Sequence, residues 1–496
     1  MAMFPNTSNS PMNFRLLTDL RYWLTACLLL TFSFVNAQRN VHIHTSQQNT
    51  VWDFPVSVDL TDDILFSEES VQFHLKDGKT LSFNNDIVDS LTFTTTPGSE
   101  DKNPYRVFQL NITTTDGAAV TSKDEYVPCF ISIGARGAFS DYSGSGAIRC
   151  RGNSSFLWYD KKPYRIKLDT KHKLLGLGKA KSLVLLANYR DVTDMMNTFV
   201  FEAGRWLGLP FTNHTRYVEL FLNGDYKGVY QLTEQVQQNS NRVNVSDERG
   251  ILISLDRDDG PELNPGANDN FWSSVYRLPV SVKYPDDEKF TKNTVDSVKA
   301  VFALLEQAIK EKNYAEIERQ LDIPSFIKYL QLQEFVYNVE LEAPRSIYMH
   351  KDGDGPWVMG PLWDFDAGYD FDWSQMTTGH NFFSDFRETV MGTNPLKRNG
   401  QYHPSQFFTN LFGCKEFVKA YKAQWAATKD SLVVHAWGEC MKYVDELRAT
   451  GAIDREFRRW PLKGKQFDTE LEKMHNWLKN RLTHMTYLIA AIPNPN

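Results

Sequence analysis

The chain has 496 residues, of which 42% are hydrophobic and 23% charged, and its net charge is −7. This globular composition excludes a collagen, a low-complexity scaffold and a chain too polar to form a hydrophobic core. Because 61 acidic residues outnumber 54 basic ones, there is no basic surplus for binding nucleic acid or anionic lipid.

The N-terminus has the pattern of a secretory signal peptide over residues 1–37. Arg15 and Arg21 supply positive charge, residues 23–35 form an uncharged apolar run, and Ala37 ends a small-residue cleavage site. The run is short for a membrane span, and no later apolar stretch reaches that length. We therefore predict a secreted protein, periplasmic or at the cell surface, with no membrane span after cleavage. An uncleaved anchor is the alternative.

Residues 38–125 are predicted to form a small β domain of short strands between turns. Its clearest signal is the alternating segment 71–75, which runs into a turn at 76–79. Beyond the signal peptide the chain has four cysteines, which form either two disulfides or four buried thiols. They are Cys129, Cys150, Cys414 and Cys440.

Residues 126–490 are predicted to form the main domain, in which strands come first and helices later, an order typical of an α+β fold. Two alternating segments flank Asn223 and Gly224, and Asn-Gly is the strongest short signal for a β-hairpin. Apolar periodicity and capping residues predict helices. These are 193–207, 290–312, Asp322 to about 336, 416–429, 431–448 and 466–489.

Acidic residues are densest between residues 338 and 372. Asp364 and Asp366 alternate with Trp363 and Phe365, so a strand there would direct both carboxylates to one side and bury both rings. Carboxylates beside an apolar anchor suit Mg²⁺, which prefers oxygen ligands and shares them with phosphate. A solvated acidic loop is the alternative.

A second charged segment is basic. Lys161, Lys162, Arg165 and Lys167 predict a basic strand on which Arg165 and Lys167 share a face, with Lys161 added if the strand is regular. Such a face suits a polyphosphate, although many basic strand faces are merely solvated. Glu202, on the following helix, could orient a lysine through an ion pair. A basic face, an acidic clamp and a carboxylate near the acceptor are the groups that phosphoryl transfer needs.

Five segments, taken together and in order, resemble the CotH spore-coat kinase family over about residues 128–490. They are residues 151–155, 161–167, 188–191, 218–230 and 363–366. The resemblance implies a diverged protein-kinase-like fold. It also implies transfer of the ATP γ-phosphate to Ser or Thr of a secreted or surface protein, with Mg²⁺.

The resemblance also suggests roles for individual residues. Asp364 looks like the first metal ligand and Asp366 like the second, and Lys167 like the nucleotide-side lysine. The remaining nucleotide-side candidates are Lys162, Arg151 and Glu202, and the catalytic candidates are Glu340 and Asp364.

Two positions depart from the family pattern. Glu340 stands in Asn338-Val339-Glu340, where the family often has an aspartate, and Met196 stands where an arginine is common. Catalysis depends on sub-ångström placement, so a catalytically weak or inactive coat or adhesion protein with the same fold is the second hypothesis. The third is a glycoside hydrolase that uses Glu340 with Asp364 or Asp366.

Overall fold

The computed structural model describes residues 12–13, 38–47, 50–96, 102–265, 268–285, 292–342, 344–370, 385–390, 405–461 and 464–495. The predicted signal peptide lies outside these residues except for β1 (Met12–Asn13). The chain forms two compact units. Unit 1 comprises Met1–Ala187, Thr215–Thr233 and Tyr443–Leu462, and unit 2 comprises Asn188–His214, Glu234–Lys442 and Lys463–Asn496.

The N-terminal part of unit 1 contains two sheets with the orders β1-β7-β2-β3 and β4-β5-β6. Alternate residues of the strands are apolar and share a buried core that includes Val41, Trp52 and Phe73. The N-terminal β region is therefore confirmed. Its strands are β2 (Gln38–Gln47), β3 (Thr50–Ser57), β4 (Thr61–Phe66), β5 (Ser70–Leu75), β6 (Thr80–Asn84) and β7 (Val88–Thr96).

The rest of unit 1 is built around a closed seven-stranded barrel of order β10-β11-β12-β14-β13-β8-β9, which the sequence did not predict. Its strands are β8 (Phe108–Thr114), β9 (Val127–Gly134), β10 (Tyr142–Cys150), β11 (Tyr164–His172), β12 (Ala180–Leu186), β13 (Arg216–Leu222) and β14 (Asp225–Glu234). Strand β8 pairs in parallel with β13. The barrel thus includes a strand from before residue 126, where the sequence division placed the start of the main domain.

The predicted hairpin is confirmed by β13 and β14, which pair around Asn223 and Gly224. Both turn residues have positive φ, 52° and 77°, as this tight turn requires. The four cysteines are buried free thiols, so of the two alternatives the structure has thiols rather than disulfides.

Unit 2 combines helices with a sheet of order β16-β17-β15-β18-β19. The strands are β15 (Gly250–Leu255), β16 (Asn270–Trp272), β17 (Pro279–Tyr284), β18 (Ile347–Asp352) and β19 (Val358–Met359). Within the described residues the α-helices are α1 (Ser154–Leu157), α2 (Met196–Trp206), α3 (Lys292–Glu311), α4 (Tyr314–Gln320), α5 (Ile323–Phe335), α6 (Phe386–Thr389), α7 (Ser405–Thr409), α8 (Lys415–Ala449), α9 (Ala452–Arg459) and α10 (Phe467–Ala490). Helices α1 and α9 lie in unit 1, and α8 passes from unit 2 into unit 1.

The helices predicted over 193–207, 290–312 and 466–489 are confirmed as α2, α3 and α10. For α5 the capping residue itself was also predicted correctly. Asp322 accepts a hydrogen bond from the Ser325 N–H at 2.7 Å at the start of α5, as its sequence position indicated. The predicted break near residue 430 is wrong, because α8 continues through it. No Gly or Pro occurs between residues 415 and 437, so nothing there interrupts the helical hydrogen bonds.

The mixed α+β prediction is confirmed, with 36% helix and 30% strand, while the kinase-like part of the fold prediction remains an expectation. Of the helices that the structure describes, none is both long enough and apolar enough to span a bilayer.

Candidate functional site

Glu340 is held in a 3₁₀ turn, Val339–Leu341, shortly after helix α5. Asn338 caps this turn by accepting a hydrogen bond from the Glu340 N–H at 3.2 Å. The Glu340 Oε2 atom is buried and has no hydrogen-bond partner among the described residues. Burial raises the pKa of Glu340 well above its ordinary value, and the charges of Asp364 and Asp366 raise it further. The three carboxyl groups therefore form one electrostatic cluster, called here the acidic site.

Asp364 and Asp366 lie in an irregular loop rather than in a strand. Trp363 and Phe365 are buried, with 5% and 0% exposure, whereas both aspartates are half-buried. The predicted separation of rings and carboxylates is therefore present, but strand alternation does not cause it. Asp364 has φ of 65°, a left-handed conformation that a regular strand does not contain.

Asp366 is bound by Arg190, a residue that sequence reasoning did not select. The Arg190 guanidinium donates from Nε to Oδ2 at 3.1 Å and from Nη2 to Oδ1. Arg190 is only 5% exposed, so this two-pronged ion pair is largely shielded from water. The acidic site thus has a guanidinium of its own although position 196 is a methionine.

Two hydrogen bonds join the start of helix α2 to the loop that carries the aspartates. Asn197 Oδ1 accepts from the Phe365 N–H at 2.8 Å, and the Tyr369 hydroxyl donates to the Met196 carbonyl at 2.8 Å. These bonds fix the backbone on either side of Asp366.

Asp191 is a buried carboxylate that organises the residues leading into helix α2. It accepts hydrogen bonds from the Thr193 N–H at 3.0 Å, the Thr193 hydroxyl at 2.5 Å and the Met196 N–H at 2.8 Å. Burial raises the pKa of Asp191 to about 6, and the charge of Asp366 adds to this rise although the hydrogen bonds oppose it. Negative charge therefore accumulates around the acidic site beyond its three carboxyl groups.

Lys161 does not lie on the predicted basic strand face, because β11 begins only at Tyr164. Its side chain is fully buried in unit 1, where Nζ contacts Glu456 Oε1 at 2.6 Å and donates to the Val229 carbonyl at 2.5 Å. The Val229 N–H in turn donates to Glu456 Oε2 at 2.7 Å. Burial raises the pKa of Glu456, while Lys161 lowers it. This Lys161–Glu456 pair ties helix α9 to strand β14.

The close approach of α9 to β14 depends on Gly228. Its φ is 103°, and a Cβ atom at this position would collide with the Glu456 carboxylate and approach Trp460 Nε1 to 3.0 Å. Beside it, Arg455 forms two bonds of 2.7 Å to the buried carboxylate of Glu219. The helix is therefore held by two buried ion pairs side by side.

The remaining nucleotide-side candidates differ in how free their side chains are. Lys162 Nζ donates to the carbonyls of Phe156 at 2.7 Å and Tyr159 at 2.5 Å. This anchors the lysine to the backbone around helix α1. Lys167 has an exposed side chain on β11. Of the two lysines assigned to nucleotide binding, Lys167 is thus the one whose amine is not held by backbone carbonyls.

Arg151 and Glu202 complete the predicted set. Arg151 is half-buried just after β10, and its N–H donates to the Pro163 carbonyl at 3.0 Å. Glu202 forms an ion pair with Arg205, one turn further along helix α2, instead of the lysine that the sequence suggested. Lys167 and Arg151 belong to unit 1, and Glu202 belongs to unit 2 with the acidic site. Their convergence on one nucleotide remains a prediction.

The acidic site contains groups that suit a divalent cation. The Asp364 carboxylate supplies oxygen donors that suit Mg²⁺, whereas the bonds from Arg190 make Asp366 a poorer ligand. Within the described ranges, no three His, Cys, Asp or Glu side chains are grouped so that they alone could hold a metal ion. Mg²⁺ commonly uses one or two carboxylates and takes its other ligands from water and phosphate. The residues present fit that mode of binding.

The fold and the acidic site together define an α+β protein with a cluster of carboxyl groups that suits a divalent cation. Residues 148–485 match the family described as CotH kinase protein. Because the match spans well over half of the chain, the protein belongs to this family, and the resemblance seen in the sequence is confirmed. No curated protein matches the chain significantly.

Sequence reasoning missed Arg190, Asn197 and Glu456, for different reasons. Arg190 lies within one of the segments that carry the family resemblance, and Asn197 is adjacent to Met196, so both were open to selection. Glu456 is 295 residues from Lys161 and shows no local pattern. A long-range ion pair of this kind is visible only in the folded chain.

Proposed function

We propose that the protein is an exported atypical kinase that transfers the γ-phosphate of ATP to Ser or Thr of a secreted or surface protein. The observation that carries the proposal is the acidic site. Its buried, unpartnered Glu340 oxygen lies in the electrostatic reach of Asp364 and Asp366, and this pattern of perturbed carboxyl groups is typical of catalytic sites. Family membership supports the same conclusion.

In the proposed reaction, Glu340 accepts the proton of the substrate hydroxyl. A base must be ionised to act, and the negative neighbours of Glu340 oppose its ionisation. Positive charge close to the cluster therefore has to offset them, and Arg190 and Arg345 both act in this direction. When bound, a divalent cation would supply further positive charge there and would draw the phosphate oxygens to Asp364.

Arg190 and Asn197 position the loop rather than the reacting atoms. By holding Asp366 and the Phe365 N–H, they keep Asp364 and Glu340 in a fixed relation. Phosphoryl transfer depends mainly on such positioning and on charge stabilisation.

The decisive experiment measures Mg²⁺-dependent ATP binding by calorimetry and radiolabel transfer from ATP onto co-exported proteins. We expect both signals with the full-length protein and loss of both in Asp364→Ala. Asp354→Ala is the matched control, because Asp354 is exposed and pairs with Arg249. Absence of nucleotide binding by the wild-type protein with metal present would overturn the proposal.

One observation favours the second hypothesis, an inactive coat or adhesion protein of the same fold. Arg190 bonds to both oxygens of the Asp366 carboxylate, so Asp366 is less available as a metal ligand. ATP binding without measurable transfer, together with a stable protein partner in a pull-down, would support this alternative over the kinase.

A further inference from the structure

Unit 1 contains a cleft of about 1060 Å³ that shares no residue with the acidic site. The N-terminal β region contributes one side, and the ends of strands β10 and β11 contribute the other. Its lining residues include Ser57, Asp77, Tyr142, Asp169, His172 and Lys173. This volume slightly exceeds the range of about 300–1,000 Å³ seen for small-molecule sites, so the cleft has room for a ligand of several linked units.

Hydrogen bonds join the two sides of the cleft. The Ser57 N–H donates to Ser143 Oγ at 2.9 Å, and the Ser145 hydroxyl donates to Asp77 Oδ2 at 2.5 Å. The cleft is therefore a constructed feature of the fold, since the same serines that line it also fix its width.

Two aromatic residues that line the cleft, Tyr142 and His172, form a pair. The rings of Tyr142 and His172 are 4.8 Å apart between centroids. Gly144 makes room for the phenol, because a Cβ atom there would come within 2.6 Å of Tyr142 Oη. His172 is exposed, so its ring edge and nitrogens are open to a ligand.

The cleft also carries charged groups that the protein does not use internally. Lys173 and Asp169 are exposed and make no side-chain hydrogen bond or ion pair in the part of the chain that the structure describes. Three lysines (Lys76, Lys102, Lys173) and three aspartates (Asp77, Asp141, Asp169) line the cleft. Donors and acceptors are therefore balanced, with no net formal charge from these groups.

The equal numbers of lysines and aspartates limit which classes of ligand suit the cleft. A polyanion would need a surplus of cations, and an apolar ligand would need mostly hydrophobic walls. The cleft lies where β10 and β11 separate, because their ladder runs only from the Gly146 and Leu168 pair to the Cys150 and Tyr164 pair. A neutral chain of hydroxyl groups uses donors and acceptors alike and also packs its sugar rings against aromatic side chains.

We propose that this cleft binds a segment of a neutral oligosaccharide. Hydroxyl groups of the sugar would bond to Asp169, Lys173 and the serine hydroxyls, and a ring face would lie against His172 and Tyr142. This site goes beyond the proposed kinase activity and does not depend on it.

Affinity electrophoresis of the full-length protein tests the proposal. Native gels would contain, one at a time, xylan, glucomannan, a soluble β-glucan, a soluble α-glucan or dextran, and a neutral glycan microarray would extend the panel. We expect retardation by at least one of these and its loss in Asp169→Asn/Lys173→Met. Lys171→Met is the matched control, because Lys171 is exposed on β11 but does not line the cleft.

Three results would overturn the proposal. They are no binding to any neutral glycan, retardation that persists unchanged in the double variant, and binding only to polygalacturonate or to acidic peptides. Circular dichroism of both variants confirms that they fold. Asp364→Ala should bind the glycan as the wild type does, so failure of the kinase proposal and failure of this one are distinguishable.

Discussion

The Lys161–Glu456 pair and the acidic site both contain a glutamate shielded from water, but the charges next to the two glutamates differ in sign. Glu456 faces a lysine and accepts the Val229 N–H, so each of its oxygens is bonded. Glu340 lies near two aspartates, and its buried Oε2 atom has no hydrogen-bond partner in the part of the chain that the structure describes. A satisfied buried pair is what a structural role requires, whereas like charges that neighbouring arginines offset only in part are typical of a site that has to bind or react. The comparison therefore separates a structural from a functional use of buried glutamate.

The largest expected effect is on phosphate transfer, which should depend on Glu340 but not directly on Glu456. Glu340→Gln should lower the rate of phosphate transfer by about 10²–10⁴-fold, the usual contribution of a general base. The free energy of unfolding should stay the same or rise, because the variant removes a like charge from the cluster. Single-turnover transfer and urea unfolding measure the two quantities. A large loss of stability with activity preserved would assign Glu340 a structural role instead.

The second effect tests stability at the structural pair. Lys161→Met leaves Glu456 buried without its counter-charge and should lower the free energy of unfolding by about 3–5 kcal/mol. Lys161→Met/Glu456→Gln should recover much of this loss, because the amide oxygen still accepts the Val229 N–H. Chemical denaturation of the two variants and of Glu456→Gln completes the cycle. Strictly additive losses would show that the two groups are not coupled.

The smallest effect concerns pH near the acidic site. The native pKa of Asp191 is about 6, above its unfolded value of about 3.9. Its contribution to stability is thus complete below about pH 4 and is lost as pH rises through 6, a change of about 3 kcal/mol. Asp191→Asn should lack this part of the pH dependence. An identical pH profile for the variant and the wild type would contradict the assignment.

The sequence predicted those parts of the fold that depend on local patterns. Asn-Gly fixed the β13–β14 hairpin and Asp322 fixed the start of α5, because turns and caps are properties of a few adjacent residues. The barrel was not predicted, since the parallel pairing of β8 with β13 joins strands about a hundred residues apart. The sequence prediction divided α8 near residue 430, whereas the structure has one continuous helix over Lys415–Ala449.

The acidic residues of the candidate site could be selected from the sequence, but the residues that bond to them could not. Asp364, Asp366 and Glu340 were all selected from the sequence, and the structure places them in one electrostatic cluster. Their surroundings depend on long-range packing: Arg190 reaches Asp366 across 176 positions of the chain, and Lys161 turned inward to Glu456. Charge patterns indicate which residues matter, but only the folded chain shows which of them neutralise each other.

The position of Gly228 limits which substitutions the protein can tolerate there. Because the Glu456 carboxylate occupies the space that a side chain at 228 would need, any substitution there pushes a charged group away from its partner. A single methyl group added at position 228 would therefore displace the Glu456 carboxylate, weaken its bond to Lys161 and so weaken the attachment of α9. Surveys of random variants should find position 228 intolerant of alanine, although the residue itself makes no chemical contribution.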